Sequence, residues 1–338
     1  MRRKLSGSVK SNVSRSPPNV TIAGREVPLE ADITTAFAFL LDANRDLQGI
    51  ASMRAKLRGD FVSGRRGLYM LQSYDPEKIP VVLVHGLMSS PTTWLPMIND
   101  LFADPELVAN YQFWSFFYPT GNPILLSAAE LRQSLINARM QLDPEGEDVA
   151  MNRMVVIGHS MGGLLTRLSI QTSKGEPWDA LFDHSIDDLE LSEEKRELLK
   201  RAFYFEPVPS VSRVVFVATP HRGAPMGGNI IGRIGSKLIS FPKYFLSAVD
   251  GVLGTLGFTE KDIPTGIENL AIGSRFMTTV EALPISPSVP YHSIIGNKEA
   301  AGTPGGTDGV VRYTSSHLEG AVTEKIVESG HNAHGHPQ

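Results

Sequence analysis

The chain has 338 residues, of which 41% are hydrophobic and 20% charged, and this is the composition of an ordinary globular protein. Its 32 lysines and arginines nearly balance 36 aspartates and glutamates, so a formal charge of −4 offers no basic field for nucleic acid and no acidic tail. Because the chain contains no cysteine, disulfides, thiolate metal ligands and a cysteine nucleophile are excluded.

Two stretches invite comparison with membrane or export segments, and neither has the required pattern. The charge-free stretch 107–129 is interrupted by Pro119 and Pro123, so it is not one continuous apolar helix. The basic start at Arg2 and Arg3 is followed by serines and asparagines instead of an apolar core. We therefore predict a disordered basic lead-in over 1–18 and no export signal. The expected location is cytoplasmic by default, or periplasmic, secreted or membrane-associated if the N-terminus has been trimmed.

From its N-terminus onward, the chain changes from helical periodicity to short apolar runs. Helical spacing over 29–57 predicts packing helices within an N-terminal segment, 19–67. Residues 68–338 then form the predicted catalytic domain, with a turn at Asp75-Pro76 and a helix over 124–142. Strands are predicted at 68–71, 80–84, 111–118, 154–157, 214–218, 291–295 and 323–327. Apolar strands that alternate with helices predict right-handed βαβ units and a mainly parallel sheet of the α/β class.

Two regions interrupt this alternation and are predicted to be cap or lid insertions. Residues 176–206 are polar and acidic, with a helical pattern over 191–203. Residues 226–258 are rich in glycine and large apolar residues, punctuated by Arg233, Lys237 and Lys243. We interpret 226–258 as a candidate lid and acyl-binding wall whose cations face solvent or an anionic interface. An ordinary pair of core helices is the alternative interpretation.

The strongest chemical signal is Gly158-His159-Ser160-Met161-Gly162, which matches the G-x-S-x-G nucleophile elbow. Such an elbow needs a buried strand that turns sharply into a helix, with glycines where no side chain fits. The serine follows the predicted strand 154–157 and precedes an apolar helical run at Leu164 and Leu165. The context therefore predicts that Ser160 is a nucleophile.

A nucleophilic serine needs a general base and an acid that orients it. Asp308 follows the predicted strand 291–295, and His331 follows the strand 323–327. The carboxyl ends of parallel strands meet at one edge of a sheet, so Ser160, Asp308 and His331 are expected to converge there. We predict that His331 removes the Ser160 proton and that Asp308 fixes the tautomer of His331.

The oxyanion hole is predicted from two backbone amides. One is the N–H of Met161, directly after the nucleophile, and the other comes from the loop after an earlier strand. His85-Gly86-Leu87 ends the strand 80–84, which nominates the N–H of Leu87. The alternative is that His85-Gly86 forms a structural strand exit; His85 is a poor candidate for the base because it precedes the nucleophile.

Several residues compete for these roles. His334 is an alternative base, and a cluster of His331, His334 and His336 could bind a metal or form a solvated tail, although no metal is our expectation. His221 either lines the pocket or is structural, and His159 is expected to be a packing residue. The rival acids precede the strand 291–295 and are interpreted as surface charge: Asp183, Asp187 and Asp188.

Taken together, the ordered motifs resemble the bacterial lipase and esterase family of α/β-hydrolases. Within it, they are similar to the branch of GPI-inositol deacylases. The motifs are Val84-His85-Gly86-Leu87, Gly158-His159-Ser160-Met161-Gly162-Gly163, Thr219-Pro220-His221-Arg222-Gly223, Asp308-Gly309-Val310-Val311 and Ser329-Gly330-His331.

This resemblance covers roughly 68–336 and implies an eight-stranded, mainly parallel sheet and a cofactor-free serine hydrolase. By matched position it implies Ser160 as nucleophile, Asp308 as acid, His331 as base, and Leu87 and Met161 as oxyanion donors. Family members usually continue with a final helix, whereas seven residues follow His331 here. We therefore expect either that another segment covers this face of the sheet or that the chain boundaries have been trimmed.

The resulting hypothesis is a carboxylic-ester hydrolase, an esterase or a lipase, acting on a small-molecule or lipid ester through an acyl-enzyme. It expects no cofactor and no nucleic acid partner, allows transient contact with a lipid interface, and leaves the oligomeric state open. Acyl transfer or amide or thioester hydrolysis by the same triad is the alternative. A non-catalytic binding protein of the same fold is the rival from another class.

Overall fold

The computed structural model describes residues 19–22, 25–28, 66–225, 266–299 and 301–336. Its strands are β1 (Asn19–Ile22), β2 (Arg25–Pro28), β3 (Gly67–Met70), β4 (Ile79–Val84), β5 (Tyr111–Phe117), β6 (Met154–His159), β7 (Val211–Val217), β8 (Tyr291–Asn297) and β9 (Thr323–Glu328). Its α-helices are α1 (Leu95–Phe102), α2 (Pro105–Asn110), α3 (Ile124–Leu142), α4 (Met161–Arg167), α5 (Glu176–Asp179), α6 (Glu193–Phe203), α7 (Gly266–Asn269), α8 (Arg275–Ala282) and α9 (Tyr313–Ser316). Short 3₁₀ turns lie at Pro91–Trp94, Met151–Arg153, Ile186–Asp188 and Ala333–Gly335.

Strands β3 to β9 form one sheet in the order β3-β5-β4-β6-β7-β8-β9, while β1 and β2 form a separate antiparallel hairpin. Among the described strands of the large sheet, β3 runs antiparallel to β5 and every other neighbouring pair is parallel. The strand order reverses beside β4, and a crevice opens at the carboxyl ends of parallel strands at such a point. The chain has the α/β-hydrolase fold, as predicted, and its described residues supply seven strands to the sheet.

Helices cover both faces of this sheet, because side chains on β4 alternate between two apolar clusters. Val82 and Val84 pack with residues of α3 and α4, whereas Val81 and Leu83 pack with Trp94 and with α1. A strand buried on both faces explains the continuous apolar run in the sequence.

The predicted elements agree with the structure to within a few residues, and local hydrogen bonds explain the boundaries. The helix expected over 191–203 begins at Glu193 because the Ser192 hydroxyl accepts the N–H of Lys195 at 3.4 Å. The predicted turn at Asp75 is closed by the N–H of Lys78, which donates to the Asp75 carbonyl at 3.1 Å. The side-chain amide of buried Gln112 on β5 fixes this turn, because it donates to the carbonyl of Asp75 at 2.7 Å and to that of Lys78 at 2.6 Å.

Other sequence predictions concern parts of the chain outside the sheet. The predicted lead-in over 1–18, the helical segment 29–57 and the lid candidate 226–258 lie outside the described residues. In the predicted insertion 176–206, Trp178 and Leu199 pack against Leu126 at the start of α3, and its function as a cap stays a prediction. None of the described helices combines the length and the apolar character that a membrane span requires.

We expect Gly163→Ala to destabilise the fold, because a Cβ at Gly163 on α4 would lie 1.8 Å from Oγ1 of Thr219. Relieving this overlap requires α4 to move away from the end of β7, which should lower the free energy of unfolding by about 2–3 kcal/mol. Urea denaturation monitored by circular dichroism measures the change. Gly335→Ala is the control, since a Cβ there meets no described atom within 4 Å. Equal effects of the two substitutions would contradict the proposed contact.

Candidate active site

Ser160 lies at a strained turn between β6 and α4. Its backbone has φ 54° and ψ −125°, a conformation that is uncommon for a residue with a side chain. The N–H of Ser160 donates to the carbonyl of Val217 on β7 at 2.9 Å, which fixes the turn to the sheet. This geometry is that of a nucleophile elbow, and it lifts the hydroxyl above the carboxyl edge of the sheet.

Glycines on either side of the turn let three backbone segments approach one another. A Cβ at Gly162 would lie 2.4 Å from the carbonyl oxygens of both Val84 and His85, and one at Gly158 would lie 2.6 Å from the Gly162 oxygen. A Cβ at Gly86 would lie 2.9 Å from Cβ of Ser160. The first turn of α4 and the loop after β4 are therefore in direct backbone contact.

Ser160, His331 and Asp308 form a continuous hydrogen-bonded chain. Nε2 of His331 lies 2.8 Å from Oγ of Ser160, and Nδ1 of His331 lies 2.7 Å from Oδ2 of Asp308. Since a carboxylate only accepts, Nδ1 carries the ring proton and Nε2 is free to accept from the serine hydroxyl. This arrangement can move the Ser160 proton to His331 as the oxygen attacks an electrophile.

Asp308 is held by the turn that follows β8. Its Oδ1 accepts from the N–H groups of Val310 and Val311, both at 2.7 Å, and the side chain is 2% exposed. Gly296 at the end of β8 lets this turn meet the loop after β9, because a Cβ there would lie 2.7 Å from the Gly330 carbonyl. The buried carboxylate is thus fully hydrogen-bonded and fixed in orientation.

Two backbone amides near Ser160 have no hydrogen-bond acceptor within the part of the chain that the structure describes. The loop after β4 turns through Gly86–Ser89, closed by a 3.2 Å bond from the N–H of Ser89 to the Gly86 carbonyl. Within this turn the N–H of Leu87 has no acceptor among the described residues, and neither has the N–H of Met161 at the start of α4. Unpaired amides at a helix N-terminus are suited to bind a developing negative charge.

A layer of aromatic side chains supports the His331 loop from behind, and the sequence did not reveal it. Nε2 of His159 lies 2.8 Å from the carbonyl oxygen of His331. The His334 ring lies 4.3 Å from that of His159 and 5.1 Å from that of Trp94. Nε2 of His334 is 2.9 Å from Oγ1 of Thr93 and 3.1 Å from its carbonyl oxygen.

The structure separates the competing histidines from Ser160. His334 bonds to Thr93, and burial lowers its pKa to about 4. His221 is fully buried with its ring edge-on to Phe216 at 4.7 Å, and burial lowers its pKa. His85 stacks on Tyr118 at 4.5 Å, and its carbonyl accepts from that residue's hydroxyl.

The competing acid Asp187 contacts basic side chains instead of His331. Asp187 forms ion pairs with Lys200 and Arg196 in the segment 176–206. Within the described ranges, no group of three or more His, Asp and Glu side chains is arranged to hold a metal ion.

Comparisons with known proteins find structural likeness only. No protein-family profile matches the chain, and no curated protein matches its sequence. The mature form of the Bacillus licheniformis lipase BlEst2 superposes with a TM-score of 0.46 and 16% identity, covering 79% of this chain and 93% of that one. Aspergillus fumigatus lipase B has a TM-score of 0.38 and 14% identity, covering 73% of this chain and 42% of its own. A putative aryl esterase from Burkholderia cenocepacia has a TM-score of 0.37 and 14% identity, and the match covers 78% of this chain and 87% of the esterase.

Burial of neutral His334 predicts acid-sensitive stability. An unfolded histidine has a pKa near 6.5, whereas that of folded His334 is about 4, so below pH 6.5 the unfolded state binds more protons than the folded one. The stabilisation of the folded state by neutral His334 is therefore fully present above pH 6.5, and it is lost progressively as the pH falls towards 4.

We expect the protein to lose about 2 kcal/mol of unfolding free energy through this residue between pH 7.5 and pH 5. Urea denaturation at the two pH values measures the loss. His334→Gln removes the titrating group. Between pH 7.5 and pH 5, its unfolding free energy should therefore fall by about 2 kcal/mol less than that of the wild type. An identical pH dependence in the two proteins would refute the assignment.

Proposed function

We propose that this chain is a serine hydrolase that cleaves carboxylic esters, with Ser160 as nucleophile, His331 as general base and Asp308 as the orienting acid. The observation that carries the proposal is the chain of hydrogen bonds from Oγ of Ser160 to Nε2 of His331 at 2.8 Å and from Nδ1 to Asp308 at 2.7 Å. The order serine, acid, histidine along the chain is that of α/β-hydrolases. The strained backbone of Ser160 is additional support, because residues in sparsely populated conformations cluster at active sites.

In this mechanism His331 removes the proton of Ser160 while Oγ attacks the ester carbonyl. Asp308 stabilises the resulting imidazolium, which then gives its proton to the departing alcohol. The acyl group remains on Oγ until water, deprotonated by His331, attacks the same carbonyl and releases the acid. The unpaired N–H groups of Leu87 and Met161 stabilise the oxyanion in both steps.

The substrate class is a small-molecule or lipid ester, in line with the resemblance to lipases, esterases and GPI-inositol deacylases. Water is the simplest acceptor, and an alcohol or amine in its place would make the same site an acyltransferase. An amide or thioester in place of the ester leaves the roles of Ser160 and His331 unchanged. A series of p-nitrophenyl esters of increasing acyl length distinguishes an esterase from a lipase. If residues 226–258 act as a lid, deleting them should reduce hydrolysis of long-chain esters more than that of short-chain esters, whereas equal loss would indicate a structural role.

Covalent labelling tests the nucleophile. We expect a fluorophosphonate probe to label the folded protein at one serine, and Ser160→Ala to abolish both labelling and ester hydrolysis. Ser169→Ala is a matched control, because Ser169 is a buried serine that follows the same helix and donates to the Thr166 carbonyl at 2.6 Å. Unlabelled folded wild type, or labelling that survives in Ser160→Ala, would contradict the proposal.

Asp308→Asn tests the orienting carboxylate. The substituted amide keeps the shape and presents an N–H to Nδ1 of His331, so the ring holds its proton on Nε2 and cannot accept from Ser160. We expect kcat to fall by about 10⁴-fold, as for the equivalent change in serine proteases. Asp187→Asn is the control, since its carboxylate is 67% exposed and pairs with Lys200 and Arg196. A variant Asp308→Asn with wild-type kcat would exclude Asp308 from the mechanism.

A further inference from the structure

We propose that His159 is a positioning residue, which holds the general base in register with the nucleophile by donating a hydrogen bond to the backbone carbonyl of His331. This inference rests on the proposed function and extends it to a residue that does not touch the reacting atoms. Nε2 of His159 lies 2.8 Å from that carbonyl oxygen, and the side chain is 4% exposed.

The partner of His159 defines its protonation state. A carbonyl oxygen only accepts, so Nε2 of His159 must carry the proton and Nδ1 is bare. Burial lowers the pKa of His159 well below its ordinary value, and His334, His331 and His85 lower it further. His159 therefore stays neutral when His331 becomes positively charged, and it acts as a donor of fixed direction rather than as a second base.

The bond matters because the loop that carries His331 has few other restraints. The loop leaves β9 at Glu328, and the N–H of Ser329 donates to the Asn297 carbonyl at 3.1 Å. Among the described residues, the His331 carbonyl has no donor other than His159. Without this bond, the described restraints on the loop beyond Ser329 are the side-chain hydrogen bonds of His331 and, three residues further on, the bonds from His334 to Thr93.

The position of His159 makes the restraint specific to catalysis. His159 is the last residue of β6 and directly precedes Ser160, so the nucleophile and the tether belong to the same rigid backbone. The tether therefore sets the separation of Oγ and Nε2 from the backbone side, while Asp308 sets the rotation of the ring. Misplacing a reacting group by about 1 Å costs on the order of 10²-fold in rate.

The test compares His159→Leu with His159→Gln. Leucine fills the space without a donor, whereas the terminal amide of glutamine reaches about as far as Nε2 and can donate to the same carbonyl. We expect His159→Leu to lower kcat for a p-nitrophenyl ester about 30-fold with KM within about twofold, and His159→Gln to recover kcat to within about threefold of wild type.

A pH profile separates positioning from simple packing. In His159→Leu the contact of His331 with Asp308 is looser, so the imidazolium is less stabilised and the acid limb of kcat/KM moves to lower pH. In His159→Gln the acid limb of kcat/KM stays at its wild-type pH, because the glutamine amide retains the hydrogen bond to the His331 carbonyl. His221→Leu is the matched control: it also removes a fully buried histidine, and it should lower stability without moving the acid limb.

Each outcome decides between the two proposals. A folded His159→Leu with wild-type kcat and an unmoved acid limb overturns the positioning role alone. If His159→Leu does not fold, His159→Asn, whose amide is too short to reach the carbonyl, replaces it, and equal kcat in the Asn and Gln variants overturns the role. A wild type that turns over no ester overturns the proposed function and this inference together.

Discussion

The site depends on how closely the start of α4 approaches the ends of β4 and β7. Gly162 and Gly163 make that approach sterically allowed, since a Cβ on either would overlap a neighbouring segment. The same approach accompanies the positive φ of Ser160, and among the described residues the N–H of Met161 has no carbonyl partner. One packing constraint between backbones thus places the Ser160 hydroxyl beside an N–H that has no acceptor among the described residues.

The electrostatic arrangement of the histidines follows from their different neighbours. The ring of His159 lies between the other two, with its centroid 5.1 Å from that of His331 and 4.3 Å from that of His334. Positive charges on two neighbouring rings would therefore repel each other strongly. Burial lowers the pKa of His159 and His334, and neither is bonded to a carboxylate among the described residues. His331 is bonded to the carboxylate of Asp308, so a positive charge is better stabilised on His331 than on the other two rings.

The sequence predicts the elements and the ordered Ser160, Asp308 and His331 well, because each depends on local signals. Strand ends, glycine turns and the alternation of strands with helices are all visible within a few residues. The supporting layer is not predictable in this way. The bond from His159 to the His331 carbonyl joins residues 172 positions apart, and that from His334 to Thr93 joins residues 241 apart. Such contacts depend on the strand order of the sheet, which periodicity alone does not determine.

The strand order also explains why the loop that carries His331 is held by contacts with other segments. His331 follows β9, which is the last strand of the sheet among the described residues, pairs there with β8 and buries mainly Val327. An edge strand is restrained on one side only, so its end is a poorer platform than a central strand. The restraints on this segment come instead from residues after β8, on β6 and after β4, namely Asp308, His159 and Thr93. The position of His331 therefore depends on contacts with segments that belong to the interior strands β4, β6 and β8, although His331 itself follows the outermost described strand.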